Sequence, residues 1–135
     1  MSLAERIKWA GAVYIIGNGG SYANAMHIAN DLIACGIRAH TLDPATLTAT
    51  ANDYGYEHVF SRWLLVFANR GDLLIALSGS GKSLNILNAI SVAEEIGMDV
   101  ERVFGAPRLG MQEAEERQVI PEPLCINDPY VVSGF

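Results

Sequence analysis

The chain has 135 residues, enough for one domain with a real core and too few for two ordinary ones. Half of the residues are hydrophobic, 18% are charged and 13 are glycine, which excludes a disordered or fibrous segment and suits a compact α/β domain. A net charge of −6, with nine scattered basic residues, argues against a nucleic-acid partner or an anionic membrane surface, both of which need clustered Lys and Arg.

Along the chain, apolar runs of strand length alternate with helical periodicity. Met1 to Gly17 lacks the basic start, apolar centre and small-residue cleavage site of a secretory leader, and no apolar run reaches membrane-spanning length, so a soluble protein is expected. Val13 to Ile16 reads as a first strand stopped by Gly17. Ser21 to Cys35 places Ala25, Ile28, Ala29, Leu32 and Ile33 at helical spacing before Gly36. Ile37 to Leu42 reads as a second strand, and Asp43-Pro44 opens a turn that leads into Ala45–Ala51. Tyr56 to Asn69 reads as one helix with Val59, Phe60, Trp63, Leu64 and Phe67 on one side, broken by Arg70-Gly71-Asp72. Leu73 to Leu77 is wholly apolar, as in a parallel strand covered on both faces. Ser83 reads as the cap of a helix through Ile96, Gly97 ends it, and Val100 to Phe104 is a fourth strand. Beyond Pro107, Met111 to Arg117 reads as a short helix and Val119-Ile120 as a short last strand. Right-handed crossovers make this a doubly wound parallel sheet in a single domain over 1–135, with its motifs at 12–106 and a divergent segment at 107–135. The low charged fraction and the apolar helix around Phe60, Trp63 and Phe67 predict burial between subunits, as a dimer or tetramer. Cys35 and Cys125 lie far apart without a CxxC spacing, so neither a zinc knuckle nor a disulfide framework is indicated, and a cytoplasmic location is expected.

Two turns stand where such sheets bind ligands, beyond the carboxyl ends of strands. Gly17-Asn18-Gly19-Gly20-Ser21 approaches a dinucleotide fingerprint, but Tyr22 occupies the place of its third glycine. Its content is a tight strand-to-helix turn with polar Asn18 and Ser21 beside N–H groups that glycine lets a ligand approach. Ser78-Gly79-Ser80-Gly81-Lys82-Ser83 ends in GKS, yet Ala76 stands where a nucleotide P-loop needs glycine. What remains is a cradle of three serine hydroxyls, backbone N–H groups and a helix N-terminus, suited to one phosphate monoester. Lys82 either adds charge to it or faces solvent. His27 and Asp31, four apart, share a helix face and could form an acid/base or metal pair or a structural one. Asp53, after Asn52, reads as a cap for the following helix. Spacing reveals no partner for His40 or His58.

With the GNGGS turn, "AMHIANDL" (Ala25–Leu32), Asn52 to Arg62 and Ser78–Ser83 side by side and in order, the chain resembles the SIS (sugar isomerase) domain family, and within it the phosphoheptose isomerases. The resemblance implies a flavodoxin-like sheet of order 2-1-3-4-5 and conversion of sedoheptulose 7-phosphate to D-glycero-D-manno-heptose 7-phosphate through an enediol. It implies sugar contacts from Asn18, Gly19, Gly20, Ser21, Asn52 and Asp53, and phosphate contacts from Ser78, Gly79, Ser80, Lys82 and Ser83. Asp31 stands where the family has its Glu base, and His27 where some members bind zinc, so zinc is an optional cofactor held by His27 and Asp31. Two departures stand out. Asp31 is a methylene shorter than Glu, and no His follows His58, so the family's final-helix acid has no counterpart. Little of the family's N-terminal helical arm is present either. The expectation is therefore a sugar-phosphate binder with poor turnover unless an acid comes from elsewhere, for example His58 of a neighbouring subunit. The alternatives are a non-catalytic sensor or assembly module, an adaptor for a replication initiator, and a Rossmann-type oxidoreductase, which Tyr22 disfavours.

Overall fold

A computed structural model describes residues 1–105 of the chain. The element order is α1 (Leu3–Trp9), β1 (Val13–Ile16), α2 (Gly20–Ala34), β2 (Ala39–His40), α3 (Pro44–Tyr54), a 3-10 turn (Tyr56–His58), α4 (Val59–Phe67), β3 (Leu73–Ser78), α5 (Leu84–Ile96) and β4 (Asp99–Phe104). The four strands form one parallel sheet in the order β2-β1-β3-β4, with Val13 opposite both Ala39 and Leu73, and Leu73 opposite Asp99. This is the doubly wound α/β arrangement expected as far as the described residues reach. The fifth strand, and the readings at Met111 to Arg117 and Val119-Ile120, lie outside them.

Alternation along the strands divides the core in two. Val13, Ile15, Leu73, Ile75 and Leu77 pack with Ile7, Ala25, Ile28 and Leu32 beneath α1 and α2. Tyr14, Ile16, Leu74 and Ala76 pack on the other face with Leu47, Phe60, Leu64, Ile86 and Ala89 from α3, α4 and α5. Both faces of β1 and β3 are therefore covered, which is why their sequences are continuously apolar.

The amino ends of the strands are held by Asp72. Its buried carboxylate accepts the N–H of Ala12 at 3.0 Å and that of Asn69 at 2.8 Å. A Cβ on Gly11 would lie 2.7 Å from Asp72 Oδ1, so glycine is needed there. Arg6 ties α1 to the opposite edge of the sheet, donating to Asp99 Oδ2 at 2.7 Å, Asp99 Oδ1 at 2.9 Å and Glu101 Oε2 at 2.7 Å.

Four expectations need correction. β2 is only Ala39–His40, because Leu42 turns away into the α3–α5 core and Thr41 spends its hydroxyl on the Ile15 carbonyl at 3.1 Å. The helix expected from Tyr56 is a 3-10 turn followed by α4. Asp53 caps nothing: α3, capped by Asp43 at the Thr46 N–H, runs through Asn52 and Asp53 to Tyr54. Cys35, at the end of α2, is disulfide-bonded, where the sequence indicated no disulfide framework.

Candidate functional site

In the order β2-β1-β3-β4 the strand order reverses between β1 and β3, β2 being added on one side of β1 and β3 on the other, and the turns that follow β1 and β3 meet across that reversal. Gly17 has no room for a side chain, since a Cβ would fall 2.7 Å from the Ser21 carbonyl oxygen as the chain bends into α2. Gly19, the N-cap of α2, has φ +55° and open space around it, so the turn exposes backbone where a ligand can approach. Tyr22, the residue that breaks the dinucleotide pattern, donates its hydroxyl to the Leu42 carbonyl and anchors the helix start. Burial pushes its phenol above the ordinary range.

The second turn is built from its own serines. Ser78, buried at the end of β3, accepts the Gly81 N–H at 3.0 Å, and Ser80 accepts the Lys82 N–H at 3.1 Å. A hydroxyl that accepts still has a hydrogen to donate, so both remain available to an anion. Ser83 occupies the N-cap of α5 but makes no capping hydrogen bond. The N–H groups of Leu84 and Asn85 have no acceptor among the described residues. Gly81, at φ +68°, lies so close to Phe104 that a Cβ would sit 3.1 Å from the ring.

The two turns are joined by side chains. Asn18 and Asn85 exchange reciprocal carboxamide hydrogen bonds of 2.9 and 2.8 Å, and the Tyr56 hydroxyl donates to Asn18 Oδ1 at 3.1 Å. Asn18, Tyr56, Glu57, Ser83, Leu84 and Asn85 line a cavity of about 350 Å³. Sequence reasoning named Asn18 and Ser83 but missed Asn85 and Tyr56. The only signal was a polar residue, Asn85, on the otherwise apolar buried face of α5.

The other expected site residues fall at different distances from this cavity. Gly20 and Ser21 open α2, and Gly79 and exposed Lys82 lie in the β3–α5 turn. His27 Nε2 stands 3.4 Å from Asp31 Oδ2; His27 is half-exposed, whereas Asp31 is 6% exposed beneath it. At a rise of about 1.5 Å per residue, Asp31 lies roughly 16 Å along the helix axis from Gly20. Asn52 and Asp53 are exposed at the end of α3, bonded to each other at 3.1 Å and not among the cavity's lining residues. His58 faces Glu57 at 3.5 Å, and His40 packs against the Tyr14 ring.

Residues 1–103 match the family model described as SIS domain. The chain belongs to the SIS domain family. As an SIS domain it is similar to the phosphoheptose isomerase of Cytophaga hutchinsonii, 36% identical over 96% of this chain and 68% of that protein. It is also similar to the phosphoheptose isomerase of Rhodospirillum rubrum, 42% identical over 74% of this chain and 57% of that protein. The solved structure of phosphoheptose isomerase from Neisseria gonorrhoeae superposes with a TM-score of 0.79 at 28% identity, covering 86% of this chain and 77% of that one. The chain thus spans only part of the length of these relatives. No helix of the described residues is long and apolar enough to cross a membrane. Among the described residues no group of three or more His, Cys, Asp and Glu gathers as a metal site. His27 and Asp31 alone fall short of the three or four protein ligands zinc normally takes.

Proposed function

We propose that this SIS domain binds a seven-carbon sugar phosphate and serves a phosphoheptose isomerase reaction. The observation that carries the reading is the Asn18–Asn85 pair, which holds the GNGGS turn against the start of α5 so that both turns border one cavity. On this reading the phosphate accepts from Ser78, Ser80 and Ser83, from the free N–H groups of α5 and from Lys82. The sugar hydroxyls meet Asn18, Gly19, Gly20 and Ser21, with Asn52 and Asp53 approaching from the end of α3. The relatives' name, phosphoheptose isomerase, supports the choice of substrate and reaction.

Isomerisation of sedoheptulose 7-phosphate removes a proton from C1, places one on the carbonyl oxygen at C2, and so forms the enediol. Returning a proton to C2 while O1 loses its own gives the aldose. Asp31 is the base in this proposal, and the neighbouring His27 orients its carboxylate. On this reading the substrate lies beside α2, with its phosphate at the cradle and its carbonyl end toward Asp31. His58 of a second subunit is the candidate acid. The test is calorimetry with sedoheptulose 7-phosphate together with a coupled assay for the heptose 7-phosphate product. Binding with turnover is the expected result; absence of binding would overturn the reading. Binding without turnover would leave a sugar-phosphate sensor.

A further inference from the structure

The carboxamide of Asn18 has four bonding positions: two lone pairs on Oδ1 and two hydrogens on Nδ2. Three are occupied by protein. Oδ1 accepts from Asn85 Nδ2 at 2.8 Å and from the Tyr56 hydroxyl at 3.1 Å, while Nδ2 gives one hydrogen to Asn85 Oδ1 at 2.9 Å. Turning Asn18 alone would set oxygen against oxygen and N–H against N–H across the pair, so its orientation is tied to that of Asn85. Asn85 is itself 3% exposed in the first turn of α5. The 3-10 turn that carries Tyr56 is fastened to the same helix, because Asn88 Nδ2 donates to the Glu57 carbonyl at 3.1 Å. What remains of Asn18 at the cavity is a single N–H.

The geometry points to Asn85 and Tyr56 as positioning residues that hold Asn18 as a donor, so that it selects an acceptor oxygen of the sugar. The inference rests on the proposed sugar-phosphate reading and deepens it. Neither side chain needs to touch the ligand. Their work is to saturate the Asn18 oxygen, so that a ligand group offering only a hydrogen at that point finds no partner, and a group with a lone pair finds a donor already aimed.

Calorimetry of four proteins tests this: the unaltered chain, Tyr56→Phe, Asn18→Ala and the Tyr56→Phe/Asn18→Ala double variant. Each is titrated with sedoheptulose 7-phosphate and, separately, with inorganic phosphate. Tyr56→Phe should weaken sugar-phosphate binding about threefold to tenfold, as expected for one lost orienting hydrogen bond. Inorganic phosphate, held by the serine turn, should bind as before. In the Asn18→Ala background the Tyr56 change should have no further effect, because its action passes through Asn18. Asn85→Ala should reproduce the loss; if its buried cavity prevents folding, the half-exposed Tyr56 still decides. An equal loss in both backgrounds would show that Tyr56 contacts the sugar itself and would overturn the proposal. So would a parallel loss of inorganic phosphate binding, which marks a general disturbance of the turns. An unchanged Tyr56→Phe overturns it while leaving the binding function intact, whereas failure of the unaltered chain to bind the sugar phosphate overturns both.

Discussion

Ser80 accepts from the Lys82 N–H and keeps its own hydroxyl hydrogen, which on the proposed reading goes to the phosphate. Replacing Ser80 by Ala should cost sedoheptulose 7-phosphate binding about 1.5–3 kcal/mol, the range for a hydrogen bond to a charged group. An unchanged dissociation constant would remove Ser80 from the site. Asp72 makes the opposite kind of contribution, to stability alone. Asp72→Ala strands the buried N–H of Ala12, which costs about 1–3 kcal/mol when left unpaired, whereas the N–H of exposed Asn69 can turn to water, and the urea midpoint should fall accordingly. The serines of the second turn were legible because three of them fall within six residues among glycines. Asn85 was not, since its meaning depends on Asn18, 67 positions earlier in the chain. Asp72 read only as part of a helix-breaking Arg-Gly-Asp, for its two N–H partners belong to backbone that no side-chain pattern reveals.

At the scale of elements, α1 is held to the edge of the sheet by charge as well as by Ile7. Arg6 holds the Asp99 carboxyl below the ordinary range, chiefly through its hydrogen bonds, and its own guanidinium is held above its usual value by the same contacts. A carboxyl depressed in the folded state contributes stability that is full above its unfolded pKa, near 3.9, and is lost as pH falls through the folded value. Arg6→Ala should therefore lower stability by about 1 kcal/mol at pH 7, a modest figure because Asp99 is half exposed. The gap between variant and parent should narrow below pH 4. Urea midpoints at pH 7, 4 and 3 check this, and a constant gap would assign the loss to packing. The elements that sequence located to within about a residue, β1, α2, β3, α5 and β4, are those with Gly or Ser at or within two residues of each end. β2 was overextended because an edge strand with one neighbour is ended by where its chain must go next. The break between the 3-10 turn and α4 comes from tertiary contacts at Tyr56 and Glu57, which no local periodicity encodes.

For the molecule as a whole, the two cores leave a stripe on α4 uncovered. Of the residues expected between subunits, Phe60 is buried in the chain's own core and Trp63 packs partly against it, whereas Phe67 is 59% exposed beside Leu65 and Val66 at 63% and 75%. We propose that this stripe is covered by another copy of the chain, and Val66→Glu should then shift sedimentation toward the monomer at micromolar concentration. An unshifted profile would place the interface elsewhere. The two poles of the sheet also differ in how they are made. At the amino pole, Gly11, Asp72, Leu73, Gly71 and Asp99 bond to one another and to their neighbours through backbone and one buried carboxylate, so almost any change there is a change in folding. At the carboxyl pole, Gly17 and buried Asn85 and Ser78 apart, the turns after β1 and β3 carry exposed side chains that can be exchanged without opening the sheet. Evolutionary drift is therefore channelled: inherited substitutions that preserve the amino pole can retune which phosphorylated molecule is held at the other end, and this scaffold can acquire new ligands without first losing its fold.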